Sequence, residues 1–280
     1  MKKKKDIDRQ KIEKTLGVFI NPKTDFGFHR VFSRPDMMKS FLNEVALSEE
    51  KTGGQITSIS YLPPEHFGET EGERHVIFDT RCKTNEGKDV VVEMQNAHSM
   101  NFVNRLIFYI SCLIRSQAPP RGRKSKEKDR EKPAEWHYNL TPVYIVAIVN
   151  FPMLEGKDEE SKNIVTDCIQ LMSVKTKQRF SDMLNFVIVD LINFNKTESE
   201  LETVQDCWLY TLKHAETLEK RPEKIRDKLL IDLYDEILRT QKLTQEEIET
   251  YKNSVMEFEK LSFFTDYSKM EGRNEAYAQV

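Results

Sequence analysis

The stretch from Val143 to Val149 reads Val-Tyr-Ile-Val-Ala-Ile-Val, an unbroken apolar run of strand type. A strand with one wet face alternates apolar and polar side chains. This one does not, so both of its faces must be covered. The run therefore calls for a central strand with other layers packed on each side, the mark of a mixed α/β core. A second strand of this kind is expected at Phe186 to Ile192.

Other elements can be placed around that strand. Asn21-Pro22 predicts a turn and Thr24-Asp25 a helix start, followed by apolar Phe26, Phe28, Val31 and Phe32. Met37, Met38, Phe41, Leu42 and Val45 recur at helical spacing and predict a helix from Asp36 to about Leu47. A strand is expected over Gln55 to Leu62, stopped by Pro63-Pro64. Two more, about His75 to Lys83 and Lys88 to Gln95, flank Asn85-Glu86-Gly87, a three-residue turn with glycine in the left-handed position. A helix from about Asn101 to Gln117 carries Val103, Leu106, Ile107, Ile110, Leu113 and Ile114 as its core stripe. Residues 119–133 are a charged insertion bounded by prolines and are expected as an exposed loop. After Thr197 the pattern is helical throughout, over about 198–219, 223–240 and 244–270, with Thr244 to Glu247 forming a capping box. The expected organisation is a charged N-terminus over 1–18, an α/β domain over 19–195 and an all-helical C-terminal region over 196–280.

Chemistry concentrates in the hairpin. Alternate residues of a strand share a face, so Val91, Glu93 and Gln95 belong together, as do Ile77, Asp79 and Arg81. Folding about Glu86 pairs Thr84 with Lys88 and, in the same register, Asp79 with Glu93. Their Cβ atoms would then lie roughly 4.5–5.5 Å apart. Two facing carboxylates repel, and either one takes up a proton or a cation neutralises both. A divalent cation such as Mg²⁺ suits two carboxylates, water and phosphate oxygens, and prepares a site for phosphodiester hydrolysis. Gln95, two residues on, can orient a water through its amide. The competing reading is an ordinary surface ion pair between Arg81 and Asp79.

Bulk properties narrow the field. The net charge of −3 means that any nucleic-acid surface must be local. Cys82, Cys112, Cys168 and Cys207 are far apart and form no CxxC pair, which speaks against a cysteine zinc site and fits reduced thiols. The opening MKKKKDIDRQKIEK has charge but no apolar stretch behind it, and no run reaches the ~18 apolar residues of a membrane span, so a cytoplasmic protein is expected. P-loop, dinucleotide-binding, GxSxG and kinase signatures are absent from the sequence.

The block from Asn21 to Phe32, then Phe78-Asp79, then Val92-Glu93-Met94-Gln95, then Arg105 and Tyr109, resembles the PD-(D/E)XK nuclease family transposases, the Rpn family of recombination-promoting nucleases. The matching blocks span about residues 20–118. The resemblance implies a restriction-endonuclease-like core, which agrees with the element order above. It implies Mg²⁺-dependent (or Mn²⁺-dependent) endonucleolytic cleavage of DNA linked to recombination or transposition. Asp79 would be the metal-binding aspartate, Glu93 the acidic residue of the (D/E)xK half-motif, and Gln95 would occupy the lysine position. The Met94 carbonyl would complete the metal shell. Glutamine carries no charge, so it can orient water but cannot stabilise an anion as an ammonium would.

Asp25, in the opening block, either reaches the metal site or only caps a helix. Arg105 and Tyr109 are i, i+4 on one helix face. Arg105 either binds a phosphate or pairs with a carboxylate of the site, with Tyr109 packed beside it. Arg121, Arg123 and Lys124 are candidate phosphate contacts, with a solvated loop as the alternative. The rival function is a non-catalytic DNA- or protein-binding module that keeps the fold. The helices after Thr197 are a candidate surface for homo-oligomerisation.

Overall fold

The protein was analysed as a computed structural model that describes residues 9–48, 55–63, 65–66, 76–97, 99, 101–118, 137–153 and 164–278. Helices α1 (Arg9–Leu16), α2 (Asp25–Phe32) and α3 (Pro35–Phe41, continued by a π-turn over Leu42–Ala46) come first. Strands β1 (Ile59–Tyr61), β2 (Glu65–His66), β3 (Val76–Ile77), β4 (Thr80–Thr84) and β5 (Asp89–Gln95) follow. Next come α4 (Phe102–Ser116), β6 (Val143–Val149), β7 (Thr166–Met172) and β8 (Arg179–Asp190). The chain closes with α5 (Val204–His214), α6 (Lys228–Asp232) and α7 (Gln245–Ala278).

Six strands make one sheet in the order β1-β4-β5-β6-β8-β7, while β2 and β3 pair separately. β5, β6 and β8 run parallel, and the outer pairings are antiparallel. This mixed sheet with flanking helices has the restriction-endonuclease-like arrangement expected from the sequence.

Strand β6 is buried at all seven positions, because its side chains feed two different cores. Tyr144, Val146 and Ile148 join Cys82, Val90 and Val92 against α2, α3 and the C-terminal helices. Val143, Ile145, Ala147 and Val149 join Val91 against Phe102, Leu106, Ile110 and Leu113 of α4. Trp208 of α5 stacks on Phe32 (6.2 Å between ring centroids) and meets Phe41 edge-on (5.9 Å), while its indole N–H donates to Ser40 Oγ (3.0 Å). Tyr234 meets Phe19 edge-on at 5.0 Å. The C-terminal helices thus share the core of the first three.

Several expectations need correction. On α4 the buried stripe is Phe102, Leu106, Ile110 and Leu113, while Val103 and Ile107 are exposed. The helix packs on one sheet face only, and positions one residue further on are turned about 100° away from it. β8 begins at Arg179, well before the apolar run, because its polar first half pairs with the edge strand β7. β7 itself was not expected: four of its seven positions are exposed and they do not alternate, so no period-two pattern marks it. Of the three long helices expected after Thr197, the first two are interrupted, while the third is present unbroken as α7. Thr203 and Asp227 each accept a backbone N–H as new N-caps, and Pro222 lies between them. The capping box at Thr244 and Glu247 is present, with reciprocal bonds of 2.8 and 3.2 Å.

Candidate active site

The hairpin forms in the expected register, with Thr80 opposite Val92 and Lys83 opposite Asp89. Gly87 adopts φ +82 in the turn. The first strand is not continuous, however. It breaks at Phe78–Asp79, between β3 and β4, and this break builds the site. Phe78 leaves the alternation to bury itself beside Val91 and meets Tyr109 of α4 edge-on, with centroids 5.2 Å apart. Burying an aromatic ring of that size offsets the ladder hydrogen bonds lost at the break.

Thr84 and Lys88 form a hydrogen-bonded pair, since the Thr84 N–H donates to the Lys88 carbonyl (3.0 Å). Alternation then makes Asp79 and Glu93 a pair whose backbones do not bond to each other, the kind in which side chains come closest. The freed backbone groups turn to the carboxylates instead. The Asp79 N–H donates to Glu93 Oε1 (3.1 Å), and the Met94 N–H donates to Asp79 Oδ2 (2.9 Å).

Electrostatics set these two carboxylates apart. Glu93 is only 5% exposed, too little for a lone charge to be well hydrated. Burial first, and the Asp79 carboxylate second, push Glu93 up to about 8, against the Asp79 N–H and Arg105. Asp79 is raised as well, chiefly by burial and further by Asp25, while the Met94 N–H, His29 and Arg105 oppose the shift. Arg81 does not neutralise Asp79: it makes a two-pronged bond to Asp89, at 3.0 and 2.6 Å. The pair therefore retains a proton near neutral pH, which is the condition a bound cation would relieve.

The other expected residues gather nearby. Gln95 shares the Glu93 face of β5; its amide N–H donates to the Ala97 carbonyl (2.8 Å) and its amide oxygen accepts from Arg105 Nη2. Arg105 lies over the Tyr109 ring, 5.9 Å from its centroid, as i, i+4 spacing requires. Asp25 is not the helix cap, a role taken by Thr24, whose hydroxyl accepts from the Gly27 N–H (3.1 Å). Asp25 sits in the first turn of α2, is largely exposed and faces His29 at 3.4 Å. Arg121, Arg123 and Lys124 lie outside the described residues.

A pocket of about 190 Å³ brings Asp25, Asp79 and Gln95 to one lining. Lys23, Asp25, Asp79, Met94 and Gln95 line one side of it, and Ser254, Glu257, Phe258 and Leu261 of α7 line the other. Sequence reasoning missed α7 as part of the site. The helix is held there by a hydrogen bond from the Phe26 N–H to Ser254 Oγ (3.0 Å) and another from the Asn21 N–H to the Tyr251 hydroxyl (2.8 Å). No local pattern in residues 245–261 announces those contacts.

Among the described residues, no group of three or more His, Cys, Asp or Glu side chains is placed to hold a metal ion. The site offers two carboxylates, oxygen donors that suit a hard divalent cation completed by water or substrate oxygens. No helix among the described residues is long and apolar enough to cross a membrane. A search of curated proteins and of solved structures finds no match. The profile of the PD-(D/E)XK nuclease family transposases matches residues 22–260, which takes in the opening block from Pro22 on, the hairpin, α4, β6 and α7 as far as Lys260. With the match running over most of its length, on a fold that sets Asp79 beside Glu93, the chain belongs to the PD-(D/E)XK nuclease family transposases.

Proposed function

We propose that this protein is a Mg²⁺-dependent DNA endonuclease of the cytoplasm, associated with recombination or transposition, with Mn²⁺ as a possible substitute metal. Membership of a nuclease family supports the reaction class and DNA as substrate. The observation that carries the reading is the buried Asp79–Glu93 pair, two carboxylates held by the Asp79 and Met94 N–H groups and both raised from their ordinary values. A fold has no need of such a pair for stability, because like charges at this separation oppose folding. The metal would be held by Asp79, Glu93 and the Met94 carbonyl, and when bound it supplies Lewis-acid chemistry at a phosphodiester.

The residues of the chain do the rest. The Met94 and Asp79 N–H groups each fix one oxygen of the pair, leaving the remaining oxygens for the cation. Gln95 stands next to the pair with its amide already engaged. Asp25 adds negative charge at the pocket mouth. Arg105 and Tyr109 border the site from α4, and Arg121, Arg123 and Lys124 would hold flanking phosphates.

The test is cleavage of supercoiled and linear DNA with Mg²⁺ or Mn²⁺, wild type beside Asp79→Asn. Asparagine keeps an oxygen for the Met94 N–H and removes the charge. Metal-dependent nicking by wild type, lowered at least about 100-fold in the variant, is the expected result. Folded wild type that nicks nothing with either metal would point to a binding module that retains the fold. Equal cleavage by both proteins would locate the chemistry elsewhere.

A further inference from the structure

Arg105 is held in an unusual way for a half-buried cation. Its guanidinium makes one hydrogen bond among the described residues, from Nη2 to the Gln95 amide oxygen. The Nε–H is buried with no acceptor among the described residues. Asp79 and Glu93 both feel its positive charge, yet neither pairs with it. A buried donor left idle is costly, and such groups normally find a partner. Stacking keeps the guanidinium plane in place: Cζ lies 5.2 Å from the Phe102 ring centroid and 5.9 Å from that of Tyr109, one on each side along the helix. Gln95 is equally constrained. Its N–H is spent on the Ala97 carbonyl (2.8 Å), which turns the amide oxygen toward Arg105.

We propose that Arg105 is a phosphate-binding residue of the cleavage site and that Gln95 is its positioning residue, so that the positive charge missing at position 95 is delivered from α4. The ligand class is a phosphodiester of a nucleic acid, whose oxygens match the guanidinium fork. Arginine stays protonated, so it contributes charge and orientation and moves no proton. The inference rests on the nuclease reading and deepens it by assigning how an uncharged residue at position 95 serves the site.

The experiment is a double-mutant cycle with two readouts, Mg²⁺-dependent cleavage and equilibrium binding of a fluorescent DNA oligonucleotide in EDTA. Variants are Arg105→Ala, Gln95→Ala, the two combined, and Arg105→Ala with Gln95→Lys. Arg105→Gln replaces the alanine variant if the latter melts early. Arg105→Ala is expected to lower cleavage about 100-fold, the size of losing one charge-stabilising donor. The combined alanine variant is expected to be no worse than Arg105→Ala, because Gln95 acts through Arg105. Lysine at position 95 is expected to restore at least tenfold of the loss.

Losses that multiply in the combined variant would show that Gln95 acts by itself, on water for example, and would overturn its positioning role. Cleavage and binding both unchanged in Arg105→Ala would overturn the phosphate role, while loss of cleavage in Asp79→Asn would still uphold the nuclease. A wild type that cleaves nothing, but whose DNA binding weakens about tenfold in Arg105→Ala, would uphold the phosphate site and sink the nuclease reading.

Discussion

At the scale of single residues, the decisive feature is a conflict that the fold leaves unrelieved. Glu93 titrates near 4.5 when solvated and is pushed up to about 8 in the folded chain by burial and by Asp79. Between those values the native state binds more protons than the unfolded one. The free energy of unfolding therefore falls as pH rises across this window, on the order of 1 kcal/mol per pH unit at most. The contribution is whole below about 4.5 and gone above about 8. Metal-free protein is thus expected to melt several degrees lower at pH 8.5 than at pH 5.5, and saturating Mg²⁺ is expected to narrow the gap. Asp79→Asn should flatten the profile and leave the metal-free protein at least as stable as wild type at pH 8.5. Calorimetry decides it, and a melting temperature that climbs with pH over this range contradicts the assignment. The pair itself was legible in the sequence, since period-two alternation and a three-residue turn fix the register. The bonds from Asp79 and Met94 N–H groups to the carboxylates were not, because alternation assumes a continuous strand and the break at Phe78 depends on Tyr109 and Val91 packing from elsewhere.

At the scale of elements, two glycines test how the site is framed. A Cβ on Gly27 in α2 would stand 2.0 Å from the Asn21 carbonyl oxygen and 3.0 Å from Pro22 Cα, so the helix could not seat against the preceding turn. Gly87 has φ +82 but open space around it. Gly27→Ala is therefore expected to cost about 3 kcal/mol or more by steric displacement, and Gly87→Ala only about 1 kcal/mol of backbone strain. Urea titration checks the order, and a Gly87 variant that is the less stable of the two refutes this account. β6 was fully legible because burial on both faces writes itself into every position. The α4 stripe was legible only in part: Leu106, Ile110 and Leu113 were placed correctly, whereas the choice between Phe102 and Val103 depends on which way the helix rolls on the sheet. β7 was illegible because an exposed edge strand places few demands on its side chains.

At the scale of the whole molecule, the chain closes on itself. The Ile20 N–H donates to the Leu238 carbonyl (2.7 Å), the Thr240 N–H to the Val18 carbonyl (3.1 Å), and the Asn21 N–H to the Tyr251 hydroxyl (2.8 Å). Tyr251 is buried, and burial pushes its phenol up to about 12. Tyr251→Phe leaves the Asn21 N–H without its acceptor and is expected to cost about 1–3 kcal/mol. Because the turn before α2 and the pocket wall share this bond, the variant should also lower cleavage, and a loss of stability without any loss of cleavage would mean that α7 does not support the site. This closure had no sequence signature, since contacts so far apart along the chain leave no local periodicity. It also has a consequence for synthesis. The Asn21–Tyr251 bond spans 230 residues, so at about 5–20 residues per second the N-terminal turn waits roughly 10–50 s for its partner to leave the ribosome. During that interval the nascent chain has its acidic pair but not the helix that walls the pocket. A pocket built this way is completed only once Tyr251 and the residues around it have been made, and fragments that stop short of them lack its wall.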